Sequence, residues 1–322
     1  MKLNQLLSQA KKYENDVVAT GFRDLDKVIG GLPVGHICAV AGRPAMGKTA
    51  FAMNIAKNIG IFNKIPTVIF SIEDSDVYVM KKLVAAQFGW NADFNYDSEP
   101  VLSDYMSNAV SLMNNAGFTD IEGEKKIYLQ KMKEAPLWVE HSMDFTMDEI
   151  IIRMERMKKK DDIKVLIIDC FDSLLTGMNF ADKERAAVKL AQMADRLKIA
   201  VLVTTSLNRS VEVRGGEKIP MLCDLNGGTN LETVASTVLL LYRPEYYCIT
   251  EDWTGESTKN RADVYVAKNR FGLNDCVHLQ LLDHSRFEDM PDHMDKPESE
   301  HTSIRNSAFL KSILGDIEDT PF

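Results

Sequence analysis

Apolar positions along the chain follow two rhythms. HICAVAGRP is a short continuous apolar run ending in glycine, and FAMNIAKNI, just after it, spaces its apolar residues at helical intervals, so a buried strand is predicted to feed a helix. The alternation repeats: TVIFSIE reads as a strand, DVYVMKKLVAAQF as a helix, KVLIIDC as a strand, ERAAVKLAQMADRL as a helix and AVLVTTS as a strand. Strand and helix in turn predict an α/β fold, a mostly parallel central sheet with helices on both faces. ASTVLLLYR, ADVYVAKNR and VHLQLLD follow as three β-rich runs separated by polar turns, which predicts strands that complete the sheet. Residues 91–160 read as a mainly helical, charged excursion between the second and third strands. Leu3, Leu6, Leu7, Ala10 and Tyr13 lie at helical spacing and predict a short amphipathic helix within residues 1–19. From residue 290 the chain turns polar and acidic, with Pro291, Pro297 and Pro321, and a mobile tail over 290–322 is expected. Residues 20–289 are left as the main domain.

Composition narrows the class. With 322 residues, 45% of them hydrophobic, the chain can bury a sizeable core. Its five cysteines are scattered, with no CxxC pair, which argues against a disulfide framework or a zinc site. A reducing cytoplasm, bacterial or that of a phage-infected host, is expected. No apolar run approaches the roughly 20 residues of a membrane span, and the N-terminus lacks the apolar core of a secretory signal, so no membrane partner is expected. A net charge of −9 argues against a surface coated by nucleic-acid phosphate.

Gly42-Arg43-Pro44-Ala45-Met46-Gly47-Lys48-Thr49 satisfies the P-loop pattern G-x4-G-K-[ST], between the first strand and its helix. Glycines let backbone N–H groups curl around phosphates, Lys48 can reach the β and γ oxygens, and the Thr49 hydroxyl, followed by Ala50, can ligate Mg²⁺ at the positive end of the helix. ATP and Mg²⁺ are the ligands this chemistry implies. Val165-Leu166-Ile167-Ile168-Asp169 places a carboxylate at the end of a buried strand, the Walker B pattern that holds magnesium through a water. Glu73 follows the strand from Thr67, where a carboxylate can polarise the water attacking the γ-phosphate; Asp74 is the competing candidate, and a helix-capping role for this stretch is the structural alternative.

With these residues placed, the chain resembles the C-terminal motor domain of DnaB-type replicative DNA helicases. The similarity is carried, in order, by TGFRDLDKVIGGLPVGHICAVAGRPAMGKTAFAMNIA, FSIE, PLWVEHSMDFTMDEIIIRMERMKKK, LIID, SLNRSVEVR, and VYVAKNRFG ahead of SRFED. It implies a RecA-like P-loop NTPase fold, a hexameric ring of identical subunits, single-stranded DNA as partner, and ATP hydrolysis coupled to unwinding or translocation. Such a ring lines its channel with a few basic side chains, so an acidic exterior is compatible with it. The resemblance also makes Arg270, with Lys268 beside it, the candidate arginine finger projecting into a neighbouring subunit's site, where a guanidinium stabilises charge growing on the γ-phosphate. DNA-contacting loops would correspond to residues 209–230, including Arg209, Arg214, Lys218, Asn226, Gly227 and Gly228.

Three departures from the family pattern stand out. Ser206 occupies the position of a glutamine that senses the γ-phosphate, and it is too short to span the same gap directly. Asn226-Gly227-Gly228-Thr229 replaces a charged Arg-Glu-Ser-Gly segment, which leaves mainly backbone amides. Only residues 1–19 precede the motor, so the family's helical collar is expected to be absent, with the Leu3 to Tyr13 helix packing on an adjacent protomer or on its own. Ser206 and the neutral loop favour a second reading, a RecA-fold ATPase switch or loader that regulates a partner without processive unwinding. Finally, Asp316-Ile317-Glu318-Asp319-Thr320-Pro321-Phe322 resembles the acidic C-terminal tip of bacterial single-stranded DNA-binding proteins. That resemblance implies docking of the Phe322 ring and carboxylate onto replication or repair enzymes, against the alternative of a solvated acidic tail.

Overall fold

Five runs of the chain are mainly apolar and buried almost from end to end because both faces of the strands they form are covered. The computed structural model describes residues 16–88, 121–225 and 230–291. A two-residue ribbon, Val17–Val18 (β1) against Leu32–Pro33 (β2), brackets the helix Arg23–Ile29 (α1). The sheet strands are Ile37–Gly42 (β3), Thr67–Ser71 (β4), Leu137–His141 (β5), Val165–Asp169 (β6), Ala200–Ser206 (β7), Thr237–Tyr242 (β8), Arg261–Asn269 (β9), Cys276–Leu282 (β10) and Arg286–Asp289 (β11). Among the described residues they form one nine-stranded sheet in the order β11-β10-β9-β8-β3-β7-β6-β4-β5. From β5 to β8 all neighbours are parallel; β8 to β11 are antiparallel.

Side chains of the central strands divide by parity between two cores. In β3, Ile37, Ala39 and Ala41 face one side with Leu166 and Ile168 of β6, while Cys38 and Val40 face the other with Val165 and Ile167. The first side is covered by Met147–Asp161 (α5), Phe171–Leu174 (α6) and Phe180–Leu197 (α7); the second by α1, Lys48–Ala56 (α2) and Asp76–Phe88 (α3). Helix α2 is buried almost all round, as a helix enclosed by other layers must be, and continues as a π-helical stretch, Lys57–Phe62. Its Phe51 ring is stacked on Phe22 at 5.3 Å and meets Phe287 edge-on at 5.2 Å, so one aromatic group joins α1, α2 and β11. Buried Asn54 donates to the carbonyls of Ala50 (2.8 Å) and Ser285 (2.7 Å) and accepts from Phe287 N–H at 3.3 Å. The Asp289 carboxylate accepts from the first N–H groups of α1, Arg23 at 2.9 Å and Asp24 at 3.3 Å, capping that helix from the far end of the domain.

The parallel sheet, the layering and the closing strands β8, β9 and β10 match the sequence expectation; β11 is an addition to it. The excursion over 91–160 differs from it. Its described part holds Ile121–Lys133 (α4) and α5, but between them Leu137–His141 is a strand on the sheet edge, paired only with β4. All five of its residues are half-buried, so it shows neither the continuous burial of a central strand nor a clean alternation, and its pairing is decided by the partner strand. Residues 1–15, with the Leu3 to Tyr13 helix, Asn226-Gly227-Gly228-Thr229 and the acidic end with Phe322 lie outside the described residues.

Candidate active site

Parallel strands deliver their carboxyl ends to one edge, and the crevice outside those ends is where an open α/β sheet binds ligands. β3 ends at Gly42 and turns through Arg43, Pro44, Ala45 and Met46 into α2. Gly47 has φ +88°, and a Cβ there would stand 3.1 Å from Phe287 Cζ, so conformation and packing both require glycine. Ala45 is also left-handed (φ 64°), and Arg243 Nη1 donates to its carbonyl at 3.0 Å, fixing the turn from outside the loop. A Cβ on Gly42 would meet the Leu241 carbonyl and Met46 Cβ, both at 3.2 Å. The loop is thus held tight against the sheet with Met46 buried beneath it, while Pro44 and Ala45 are exposed.

Lys48 opens α2, its Nζ donating to the Arg43 carbonyl at 3.3 Å; burial lowers its pKa, against the opposing influence of Cys170, Asp172 and Asp169. Asp169, at the end of β6, is 1% exposed. Its Oδ1 accepts from Thr204 Oγ1 at 2.6 Å and from Thr49 Oγ1 at 3.1 Å. Burial pushes this carboxyl's pKa up, and the Thr204 hydroxyl works against that shift. A buried carboxylate beside the P-loop hydroxyl is a hard-oxygen donor set of the kind magnesium takes together with phosphate oxygens, and the glycine cradle leaves room for those phosphates.

Glu73 and Asp74 diverge. Glu73 is exposed and its Oε1 accepts from Ser173 Oγ on α6 at 2.5 Å, so it faces the Walker B strand's exit. The Asp74 carboxylate is ion-paired with Lys82 of α3, and the Asp74 carbonyl accepts from Ser71 Oγ at 2.7 Å. Two further groups escaped the sequence reading. Asp172 accepts from Thr205 Oγ1 at 2.7 Å and from the Ser206 backbone N–H, anchoring the end of β7 beneath the position discussed for γ-phosphate sensing. Thr204 bridges Asp169 and the Cys170 N–H, the latter at 2.8 Å. A carboxylate three residues beyond Asp169 is visible in sequence, but its partners lie on another strand.

Comparison with known proteins fits this geometry. The DnaB-like helicase C terminal domain family matches residues 17–289. The chain belongs to that family. The match spans the P-loop, Glu73, Asp169 and the segment through Arg270, and membership of this DnaB-like ATPase family implies nucleotide binding. The chain is 29% identical over 278 residues to the replicative DNA helicase DnaB of Leifsonia xyli subsp. xyli, covering 85% of this chain and 56% of that protein. To the DnaB of Geobacillus stearothermophilus it is 26% identical over 273 residues, covering 82% and 54%. The chain therefore spans about half the length of the curated relatives it matches. Among solved structures, an ATPase domain superposes with a TM-score of 0.72 at 22% identity, covering 90% of this chain and 97% of that one. A DnaB-like replicative helicase studied for its interactions with primase has the same score and identity, with 90% and 66% covered. These establish the RecA-like fold of the DnaB-like domain.

Within the DnaB-like domain, Lys268 and Arg270 are far from the P-loop of their own chain. Asn269 pairs with Thr237, which neighbours Cys38, four residues before Gly42. At roughly 3.3 Å per residue the hairpin tip lies at least about 13 Å along the sheet from the loop, at the opposite end of β3. There Lys268 Nζ donates to the carbonyl of Glu232 at 2.6 Å, and Arg270 Nη2 to that of Thr233 at 2.8 Å, both on Leu231–Val234 (α9). Burial and the neighbouring Arg270 lower the Lys268 pKa.

The segment after β7 begins with Leu207 and includes Ser210–Val213 (α8). Arg209 is exposed beside Ser206, Asn208 and Pro44 in a groove at the P-loop mouth. Arg214 is committed within the chain: Nη1 donates to the Ile219 carbonyl at 2.9 Å, and Nη2 is ion-paired with buried Asp224. Lys218 Nζ lies over the Tyr247 ring at 5.4 Å. Among the described residues Asp263, Cys276 and His278 also bring three potential metal-ligand atoms within 4.8 Å. Arg261 Nε is 2.9 Å from that same Asp263 carboxylate, and a guanidinium there opposes a cation. No helix among the described residues is long and apolar enough to cross a membrane.

Proposed function

We propose that residues 20–289 form an ATP-driven motor that acts on single-stranded DNA in replication, as a helicase or translocase, hydrolysing MgATP at the interfaces of a ring, most simply a hexamer. The observation that carries this reading is the convergence of Lys48, Thr49, Asp169 and Glu73 at the carboxyl ends of β3, β4 and β6 in a DnaB-like domain. In this mechanism the backbone of Gly42 to Ala50 and the Lys48 ammonium hold the triphosphate, while Thr49 and Asp169 are the residues that would hold magnesium. Bound there, the ion would supply positive charge to offset that of the phosphates. Glu73 accepts the proton of the attacking water, its carboxylate held by the hydrogen bond from Ser173, while the Asp74 carboxylate is engaged by Lys82. Arg270, remote from its own P-loop, serves the site of an adjacent copy, with Lys268 beside it.

Arg209 and Lys218 are the better candidates for phosphate contacts in the segment after β7, since Arg214 is tied to Asp224. Asn226, Gly227 and Gly228 would add backbone amides. The proposed setting is a bacterial or phage-infected cytoplasm. Residues 1–19 are proposed as a linker helix and 290–322 as an acidic tail whose Phe322 docks a replication or repair enzyme; deleting Phe322 should then remove binding of the tail to that enzyme without changing ATP turnover.

A second reading, a nucleotide-controlled switch or loader, is favoured by Ser206, whose N–H is taken by Asp172, and by the internal commitment of Arg214. One assay separates the two: oligo-dT should stimulate ATP turnover severalfold in a motor, and turnover indifferent to DNA would select the switch.

A further inference from the structure

We propose that Arg43 and Glu212 form a strut that carries the nucleotide state of the P-loop to the segment after β7, a connection that Ser206 is too short to make. The proposal rests on the reading that this segment meets single-stranded DNA. Arg43 stands second in the P-loop, yet its guanidinium points out of the loop. Nη1 donates to the Leu207 carbonyl at 2.8 Å and Nε to Glu212 Oε1 at 2.9 Å. Arg43 is largely withdrawn from solvent at 13% exposed while Glu212 is 35% exposed, so the pair is partly shielded at its arginine end. Glu212 is held from the other side by the Tyr247 hydroxyl at 3.2 Å, and the Tyr247 ring stacks on Tyr242 at 5.6 Å beneath Lys218. One arginine thus grips the base of the segment at Leu207 and its first helical turn at Glu212.

The phosphate end of the path is Lys48, whose Nζ rests on the carbonyl of Arg43 itself. A triphosphate that draws Lys48 onto its own oxygens releases that carbonyl, and the added negative charge competes with Glu212 for the guanidinium. A planar, forked guanidinium passes a displacement to both of its acceptors, where a flexible ammonium would not. ATP and ADP differ in charge at the end of this path, so they differ in their interaction with the two positions of the strut, which is what a nucleotide needs in order to shift the segment. Because coupling between two binding sites is reciprocal, DNA affinity must then depend on the nucleotide through Glu212.

The test is the affinity of fluorescein-labelled oligo-dT for the full chain, by anisotropy, with a non-hydrolysable ATP analogue and with ADP. Wild type should show a ratio of about 10 between the two nucleotides, within the usual range of allosteric coupling. Glu212→Gln should bring that ratio to within about twofold of unity, Tyr247→Phe should lower it less, and turnover without DNA should stay within about twofold of wild type in both. Glu212→Asp, which keeps the charge, should recover part of the ratio. A Glu212→Gln protein that keeps the full ratio overturns the strut, as does one that loses DNA affinity equally with both nucleotides. Wild type that binds no oligo-dT with either nucleotide overturns the DNA reading, and the strut with it.

Discussion

At the carboxyl ends of β3, β4 and β6 the functional side chains are held by their own chain: Asp169 between Thr204 and Thr49, Glu73 by Ser173, the P-loop by Arg243, Met46 and Phe287. At the other end of the same sheet, the end of β9 and the turn after it hold Lys268 and Arg270 on backbone carbonyls of α9, with Phe271 59% and Leu273 81% exposed beside them. One end holds the proposed nucleotide site in fixed hydrogen-bonded geometry, and the other carries Lys268 and Arg270 beside exposed apolar side chains. The difference fits a divided active site, in which nucleotide binding belongs to each chain and the charge that completes hydrolysis comes from the next.

Breaking the outward end should have the largest effect. Arg270→Ala is expected to lower ATP turnover by about 10³ while leaving nucleotide affinity within about twofold, since an arginine finger acts mainly on the transition state. A parallel loss of affinity in equilibrium binding would place Arg270 in the binding end instead. At that binding end, Lys48→Ala should weaken ATP by about 10² or more, whereas Glu73→Gln should keep binding and lower turnover by about 10². Asp74→Asn sharpens the same point. With its carboxylate already paired to Lys82, it should change turnover by no more than a few fold, and a loss matching that of Glu73→Gln would move the base to Asp74.

The smallest effect concerns Lys57, buried behind the P-loop helix with Nζ donating to the Ala86 carbonyl at 2.8 Å. Burial lowers its pKa to about 8. The unfolded chain, with an ordinary lysine, binds more protons above that pH, so the lysine's contribution to stability rises as pH rises from 8 toward 10. Measured against Lys57→Met by urea unfolding, wild type should gain up to about 1 kcal/mol per pH unit across that window. A flat difference would show a lysine that ionises in the fold as it does in water.

The sequence was legible where one short segment contains the whole signal. The P-loop from Gly42 to Thr49, Asp169 at the end of its apolar run, and the central strands of the parallel sheet declare themselves locally, because continuous burial leaves mainly apolar runs. Leu137–His141 did not, since an edge strand takes its conformation from β4. Asp172 and Thr204 carry no local signal because their meaning lies in hydrogen bonds between the end of β7 and the residues at and after the end of β6, and the ion pair of Arg214 with Asp224 is set by the fold of the segment rather than by its composition. The Glu73 and Asp74 alternatives had opposite surroundings that no spacing rule could reveal, one facing α6 and the other α3.

The divided site is tested most directly by mixing two inactive proteins, Lys48→Ala and Arg270→Ala, under conditions in which subunit exchange is verified by fluorescence energy transfer. A Lys48→Ala subunit lacks a working P-loop but offers an intact Arg270, and an Arg270→Ala subunit offers the reverse, so mixed assemblies contain some wild-type interfaces. The account predicts that ATP turnover reappears, greatest near equal proportions and absent in either protein alone. Subunits that exchange freely while turnover stays at the level of the single mutants would contradict it, and would return Arg270 to a role within its own chain.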